Sequence, residues 1–228
     1  MADHEEAGRG RPSDYEDVSV FTLSDEREQV LFSKQTECTF MWTNKAGEPV
    51  GVIMNYVWHE GRFWLTATRQ RARIPAIERD PRVAIAITSR GTDIGISQSV
   101  TYKGTAIVHD DEETKAWFYP ALAKRVMPNI AAVQRAFVAL LDSERRVVLE
   151  VVPEKWITFD VNKMRADTSV AMARVAMPES VVRVAEQFGM DPEELIRRAV
   201  SIVGIDDPHG IRGPHKRVAD ALRRLLPR

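Results

Sequence analysis

Six segments between residues 37 and 161 are rich in β-branched and aromatic residues, which is the composition of strands. Turn residues around Gly47 and at Glu60–Gly61 separate the first three of them. Closely spaced strands of this kind pair antiparallel, and six of them favour a closed or half-closed barrel with few exposed edges. The predicted strands are ECTFMWTN, EPVGVIMNYVW, RFWLTAT, RVAIAITSR, SVTYKGTAIVHD and RRVVLEVVPEKWITFDV.

Helical patterns precede and interrupt these strands. The stretch LSDEREQVLFSKQ predicts a first helix capped by Ser24. A short helix is expected over Pro75–Arg79, ending at Asp80–Pro81. A longer helical insertion is expected from about residue 111 to 141, broken near its two prolines, Pro120 and Pro128.

After about residue 165 the pattern becomes helical throughout. One helix begins with Pro178 and stops at Gly189, and the next opens with Asp191 as a cap and Pro192 at the first helical position. A third, PHKRVADALRRLLPR, places its apolar residues on one stripe. We therefore divide the chain into a disordered tail (1–17), a barrel domain (18–164) and a helical extension (165–228).

The composition of the chain excludes several classes of protein. Its 228 residues carry a formal charge of −1, from 32 basic and 33 acidic residues, so any anion site must be local. A lone cysteine, Cys38, excludes a disulfide framework and a multi-cysteine metal site, and it suits the cytoplasm. No apolar run approaches the ~18 residues of a membrane span, and the acidic N-terminus is unlike a signal peptide. We therefore expect a cytoplasmic protein with no membrane partner.

A basic segment, TRQRARIP, stands out in this neutral chain. It follows the predicted strand RFWLTAT and ends at Pro75, which suits a first helical turn. Arg71 and Arg73 therefore lie where backbone N–H groups and guanidinium groups can together bind a phosphate. Two threonines, Thr66 and Thr68, could add hydroxyl donors.

The alternative is that these arginines only pair with surface carboxylates such as Glu78 or Asp80. No nucleophile–base pair and no metal-ligand spacing is found elsewhere, so no catalytic residue and no metal site is predicted. Cys38 lies in an apolar strand and is expected to be a small core residue.

The order of these segments resembles the FMN-binding split-barrel superfamily, which includes pyridoxamine 5′-phosphate oxidases and F420-dependent deazaflavin reductases. The resemblance covers roughly residues 25–160, and its best pieces are the Thr/Arg segment before Asp80–Pro81 and the glycine of YKGTA. It implies a mainly β fold with helices, built on a six-stranded antiparallel split β-barrel of the FMN-binding type. The C-terminal helical appendage, which the sequence pattern predicts after residue 165, lies outside the family's usual barrel.

The resemblance also implies contacts to the phosphate and the ribityl chain. Arg73 falls where the family has a phosphate-binding lysine or arginine, and Arg71 falls at its second phosphate contact. The strand end beside the ribityl chain is formed by Thr66, Ala67 and Thr68.

Further contacts are implied along the flavin ring. The strand that runs along the isoalloxazine contains Ile53, Met54 and Asn55. The position at which a relative's glutamine reaches the cofactor from the partner subunit is occupied by Gln98 and Ser99.

One more contact and one departure complete the comparison with the family. Trp156, in PEKW, resembles an aromatic residue near the flavin in pyridoxamine phosphate oxidases, although a core role is the alternative. The Arg-x-His substrate motif of true pyridoxamine phosphate oxidases is not visible, which argues against that particular activity.

The function implied is a flavin-dependent oxidoreductase that binds FMN between two identical subunits and transfers hydride to or from a small organic substrate. The cofactor carries this chemistry, which agrees with the missing acid–base residues. Coenzyme F420 is the alternative cofactor, and Arg62 and Arg69 could then bind its acidic tail.

Two other functions stay open. A non-catalytic flavin or haem binder on the same barrel would offer His59 or His109 as axial ligands. A nucleic-acid protein would use the basic residues of 210–228, but we expect those cations to face solvent and expect no nucleic-acid partner.

Overall fold

The computed structural model describes residues 18–94, 98–175 and 177–206. Its strands are β1 (Glu37–Thr43), β2 (Pro49–Asn55), β3 (Val57–His59), β4 (Arg62–Thr68), β5 (Arg82–Thr88), β6 (Gln98–His109) and β7 (Arg146–Asp160). Its helices are α1 (Asp25–Lys34), α2 (Arg73–Arg79), α3 (Glu112–Val126), α4 (Ala131–Leu141), α5 (Val161–Val175), α6 (Glu179–Gln187) and α7 (Pro192–Asp206), after one 3-10 turn at Val18–Val20. The predicted tail 1–17 and the predicted helix 214–228 lie outside the described residues.

The strands form one seven-stranded sheet in the order β2-β1-β5-β6-β7-β4-β3, curved as a half-barrel. Six strands were predicted, and the seventh arises because EPVGVIMNYVW is interrupted at Tyr56. The N–H of Tyr56 and the side-chain amide of Asn55 both donate to the carbonyl of Thr36 (3.3 and 3.2 Å). The chain therefore leaves β2, which pairs with β1, and re-enters the sheet as β3, which pairs with β4 at the opposite end of the strand order.

Turn residues set the register of the two hairpins. Between β3 and β4, Glu60 and Gly61 both have positive φ (50° and 74°), which is the geometry of a tight two-residue hairpin turn. Between β1 and β2, the Asn44 side chain accepts from the N–H groups of Ala46 and Glu48 (2.9 Å each), and Gly47 has φ +82°. Both predicted turns are confirmed.

The two faces of β4 pack against different partners. One face buries Phe63, Leu65 and Ala67. There the ring of Phe63 packs against those of Phe32 and Trp58, with centroids 5.4 and 4.5 Å apart. The opposite face is covered by α3 and α4. Their apolar cluster consists of Val57, Phe118, Tyr119, Leu122, Leu141 and Val148.

Three helix boundaries differ from the prediction. Helix α2 begins at Arg73 rather than at Pro75, so the proline is third in the helix. Helix α3 runs through Pro120 without a break, because the packing of Phe118 and Leu122 on either side outweighs one lost backbone hydrogen bond. The helical part of the chain also begins earlier, at Val161.

The chain packs as two compact units. One contains Glu28–Thr88 and Val100–Ile157, which hold most of the sheet together with α3 and α4. The described part of the other is drawn from Met1–Arg27, Ser89–Ser99 and Thr158–Arg228. The predicted division at residue 165 stays a prediction.

Helices α5, α6 and α7 form an apolar core within the second unit, where Val170, Val184 and Ile196 are buried. Asp191 caps α7 as predicted, because its carboxylate accepts from the N–H groups of Glu193 (2.9 Å) and Glu194 (3.2 Å). Among the described residues, no helix combines the length and the hydropathy needed to cross a membrane.

Gly104 is the glycine of YKGTA, and the backbone of β7 passes directly over it. A Cβ at this position would meet the carbonyl oxygen of Val152 and lie 2.9 Å from its carbonyl carbon. We expect Gly104→Ala to lower the free energy of unfolding by at least about 2 kcal/mol, because backbone atoms cannot move aside as a side chain can. Urea unfolding followed by fluorescence measures the change.

Gly51→Ala is the matched control for this substitution. A Cβ there would lie 3.3 Å from the side-chain atoms Met41 Cγ and Thr39 Cγ2, which can shift. We expect a change within about 1 kcal/mol. Equal losses for both variants would contradict the close approach at Gly104.

Candidate functional site

A cavity of about 420 Å³ lies at the end of β4, on the face that α3 and α4 cover. It brings together residues from three strands (β2, β4 and β7), from the turn after β4, from the start of α2 and from α3 and α4. Its lining residues are Met54, Asn55, Thr66, Ala67, Thr68, Arg71, Arg73, Leu122, Phe137, Leu141 and Arg146.

The two predicted phosphate-binding arginines are positioned by a tight turn. Arg71 N donates to the carbonyl of Thr68 (3.0 Å), and Ile74 N donates to the carbonyl of Arg71 (2.9 Å). The burial of Ile74 anchors α2, while the guanidinium of Arg73 lies over the ring of Trp42, 5.6 Å from its centroid. Both side chains reach the cavity from a fixed backbone.

The positive charges of Arg71 and Arg73 are not balanced by any described carboxylate in the cavity lining. Burial lowers the pKa of Arg73 below its ordinary value, and the positive charge of Arg71 lowers it further. The Nε of Arg73 is buried without a hydrogen-bond partner. Leaving a buried donor unpaired costs ~1–3 kcal/mol, and a bound anion would remove that cost.

A third arginine, Arg146, lines the same cavity and was not predicted. It is the first residue of β7, and its Cα is paired with that of Thr68 across the ladder. Its Nε is also buried and unpaired. Only the register of β4 against β7 reveals this neighbour, and the sequence contains no signal for that long-range register.

The carboxylates foreseen as alternative partners are engaged elsewhere. Glu78 lies 4.0 Å from Arg69, which also pairs with Asp110, and Asp80 pairs with Arg82 (2.7 Å). Within the described residues, no carboxylate lines the cavity or pairs with its three arginines. The arrangement is therefore chemically suited to hold an anion.

The polar wall is completed by side chains that the strands orient. The Thr66 hydroxyl donates to the carbonyl of Val147 (2.8 Å), which leaves its oxygen free to accept. The Asn55 amide is held by the carbonyl of Thr36. Together with Ala67 and Met54, these residues form part of the lining that the strands contribute.

The opposite wall is apolar and was missed by the sequence reasoning. Leu122 comes from α3, while Phe137 and Leu141 come from α4. These residues have the ordinary composition of a helix core, so nothing in the sequence separated them from other packing residues. A wall of this kind excludes water from a ligand whose other side contacts the arginines.

Four predicted contacts do not line the cavity. Ile53 is 64% exposed on β2, and Trp156 is 63% exposed on β7 with its ring 6.3 Å from that of Tyr102. Gln98 and Ser99 belong to the other unit, where the N–H of the buried Gln98 donates to the hydroxyl of Ser89 (2.8 Å). Their role as cofactor contacts stays a prediction.

The candidate haem ligands also lie outside the cavity lining. His109 Nε2 lies 2.6 Å from the carboxylate of Glu150, which also pairs with Arg62. The ring of His59 packs on that of Trp117 (4.7 Å). In the described ranges, no three His, Cys, Asp or Glu residues are close enough to hold a metal ion.

Comparison with known proteins supports the predicted family. The family model for pyridoxamine 5′-phosphate oxidase matches residues 26–160. A crystal structure of a conserved hypothetical protein from Mycobacterium tuberculosis is similar, with a TM-score of 0.55 and 18% identity over 63% of this chain and 89% of that chain. These two findings confirm the predicted split-barrel fold. No curated protein matches the chain.

Two weaker structural similarities are to proteins whose names refer to different cofactors, F420 and haem. An F420 reductase gives a TM-score of 0.44 and 18% identity over 57% of this chain and 94% of that chain. HutZ, a haem storage protein from Vibrio cholerae, gives a TM-score of 0.45 and 11% identity over 58% of this chain and 92% of that chain. At these scores neither bears on what this chain binds.

Cys38 lies opposite Met54 in the β1–β2 ladder and is buried, as predicted. Burial, and secondarily the charge of Glu37, raise the pKa of its thiol to about 12. At pH 8 only about one thiol in ten thousand is then ionised, so we expect very slow reaction with a thiol reagent in the native protein. One equivalent should react at once in concentrated guanidinium chloride, and rapid native labelling would contradict this burial.

Proposed function

The chain belongs to the pyridoxamine 5′-phosphate oxidase family, and on that premise we propose that it is a flavin-dependent oxidoreductase that binds FMN and transfers hydride to or from a small organic substrate. The observation that supports this most is the cavity at the end of β4, where Arg71 and Arg73 face no carboxylate among the described residues. A cofactor phosphate is the anion that the family brings to such a site.

The residues that line the cavity fit this cofactor. Arg71 and Arg73 would hold the phosphate through charge-assisted hydrogen bonds, each contributing ~1.5–3 kcal/mol. Thr66, Ala67 and Thr68 would lie beside the ribityl chain.

The rest of the lining would orient and shield the ring. Met54 and Asn55 would lie along one edge of the ring, and the leucine and phenylalanine side chains of α3 and α4 would exclude water. When bound, the flavin supplies the hydride donor or acceptor, so the chain needs only to bind, orient and desolvate. A catalytic acid or base on the protein is not required by this role.

FMN is favoured over coenzyme F420 because the two neighbouring arginines that could bind the F420 tail are already paired with carboxylates. Arg69 and Arg62 were the candidates for binding the acidic tail of F420. Arg69 instead pairs with Asp110 and Glu78, and Arg62 pairs with the buried Glu150. Neither offers an uncompensated charge, so F420 is kept as the alternative cofactor.

A homodimer is proposed because the family's site forms between two subunits. Large apolar side chains are exposed on three strands of the sheet: Ile53, Ile107, Trp156 and Ile157. Such surfaces are typical of interaction sites. Ile53, Gln98, Ser99 and Trp156 are proposed as cofactor contacts that only such an assembly would complete.

Two further parts of the proposal rest on other grounds. The substrate is proposed to be a small molecule because the cavity has the size of a ligand pocket. A cytoplasmic location rests on the single cysteine. A haem carrier is less well supported, because His109 is held by Glu150 and lies outside the cavity lining, and a non-catalytic flavin binder is kept as an alternative.

The visible spectrum of the purified protein tests the proposal directly. A two-banded yellow spectrum that bleaches with NADPH is expected for an FMN oxidoreductase. A single band at shorter wavelength that titrates with added F420 would move the assignment to the deazaflavin, and a Soret band would move it to haem. Failure of every chromophore to bind would overturn the oxidoreductase proposal.

A matched pair of arginine variants tests the phosphate contact. We expect Arg73→Ala to weaken FMN binding about 10- to 100-fold, because it removes charged hydrogen bonds to the phosphate. Arg69→Ala, in the same segment but paired with Asp110, should change the affinity by less than about threefold. Quenching of flavin fluorescence measures both, and equal effects would show that only the general positive charge matters.

A further inference from the structure

We propose that Arg146 is the third cation of the phosphate site and that, together with Arg71 and Arg73, it selects a phosphate monoester over a phosphate diester. This inference rests on the proposed function only in placing the ligand's phosphate in the same cavity. It names the chemical class of the anion, and it assigns a specificity-determining residue from a strand distant in sequence.

The position of Arg146 is fixed by the sheet. Its Cα is paired with that of Thr68 in the antiparallel β4–β7 ladder, so the two side chains emerge on the same face, with Cβ atoms ~4.5–5.5 Å apart. The ladder continues to Arg69 N, which donates to the carbonyl of Arg145 (2.8 Å). Thr68 is also the residue whose carbonyl accepts from Arg71 N.

The three arginines therefore surround one strand end from two sides. Arg71 and Arg73 approach from the turn and the first turn of α2, and Arg146 approaches from the neighbouring strand. The buried Nε atoms of Arg73 and Arg146 have no partner in the protein. An anion bound in the cavity that both residues line would supply the acceptors that these two Nε–H groups lack.

The amount of charge indicates the class of anion. Three guanidinium groups face a cavity that no described carboxylate lines. A phosphate monoester carries a charge of about −1.5 to −2 near neutral pH and has three terminal oxygens to accept forked hydrogen bonds. A diester has one charge and two terminal oxygens, so it would neutralise less of the positive charge and offer fewer acceptor sites to the three guanidinium groups.

Farther along the same face of β7, another arginine, Arg62, is paired with a carboxylate. Glu150, which lies four residues after Arg146 and on the same face of the strand, is opposite Trp64. Its buried carboxylate pairs with Arg62 and His109. The chain therefore supplies a carboxylate on this surface where a cation needs one. Within the part of the chain that the structure describes, Arg146 has no paired carboxylate, and this is a local property of the cavity.

Arg146→Gln tests the inference, with Arg145→Gln as its control. Arg145 is the adjacent arginine, has the same formal charge and is exposed outside the cavity lining. The full-length chain is titrated with FMN, with riboflavin, which lacks the phosphate, and with phenyl phosphate and diphenyl phosphate as flavin-free monoester and diester. Calorimetry reports binding of all four.

We expect the wild-type chain to bind phenyl phosphate at least about tenfold more tightly than diphenyl phosphate. Arg146→Gln should weaken FMN and phenyl phosphate about tenfold or more and leave riboflavin and diphenyl phosphate within about threefold. Arg145→Gln should change none of them. Arg146→Lys keeps the charge without the fork, so it should give intermediate affinity for the monoesters in a chain that folds normally.

The outcomes separate this inference from the flavin proposal. Preference for phenyl phosphate that depends on Arg146, with no FMN binding, would support the anion site and overturn the flavin assignment. FMN binding that Arg146→Gln and Arg146→Lys leave unchanged would overturn the inference and leave the flavin proposal standing. Equal weakening of FMN and riboflavin by Arg146→Gln would also overturn it, because the residue would then act on the ring or the fold.

Discussion

The antiparallel ladder between β4 and β7 is the constraint on which the rest of this structure depends. On one face it buries Phe63 and Leu65 in the core, and on the other it lines up Thr68 with Arg146 and Trp64 with Glu150. A slip of one residue would exchange these faces, because side chains alternate along a strand. The hydrophobic pattern that stabilises the barrel therefore also fixes which polar side chains meet beside the cavity.

The chain as a whole is neutral, so the uncompensated charge of the cavity is a local feature. Three other arginines of the sheet unit are each neutralised by a nearby carboxylate: Arg62 by Glu150, Arg69 by Asp110 and Arg82 by Asp80. The arginines of the cavity lack such partners among the described residues, and the pKa of Arg73 is lowered by that environment. Such an arrangement costs stability in the free protein, and a bound anion is the physical condition that offsets the cost.

Much of the fold could be predicted because its signals are local. Turn residues such as Glu60–Gly61 and caps such as Asp191 act over a few neighbouring positions, and strand composition shows directly in the sequence. The break at Tyr56 was missed because it depends on a hydrogen bond to Thr36, whose position only the folded chain defines. The continuity of α3 through Pro120 was missed for a similar reason, since tertiary packing outweighs the local cost of proline.

The residues of the candidate site also differ in whether local sequence or long-range packing reveals them. Arg71 and Arg73 follow a strand directly, so a local pattern was enough to single them out. Arg146 and the apolar residues Phe137 and Leu141 reach the cavity only through strand register and helix packing.

This difference has a consequence for how the site binds. On the proposed assignment, the local arginines would attract any anion, whereas the residues brought from elsewhere would select its charge and its number of acceptor oxygens and would exclude water from it. An apolar wall from α3 and α4 strengthens each charged hydrogen bond inside the cavity, because the effective dielectric constant there is lower than in water. The selectivity proposed for this cavity therefore depends on the folded chain, because Arg146 and the apolar wall join the TRQRAR segment only through strand register and helix packing.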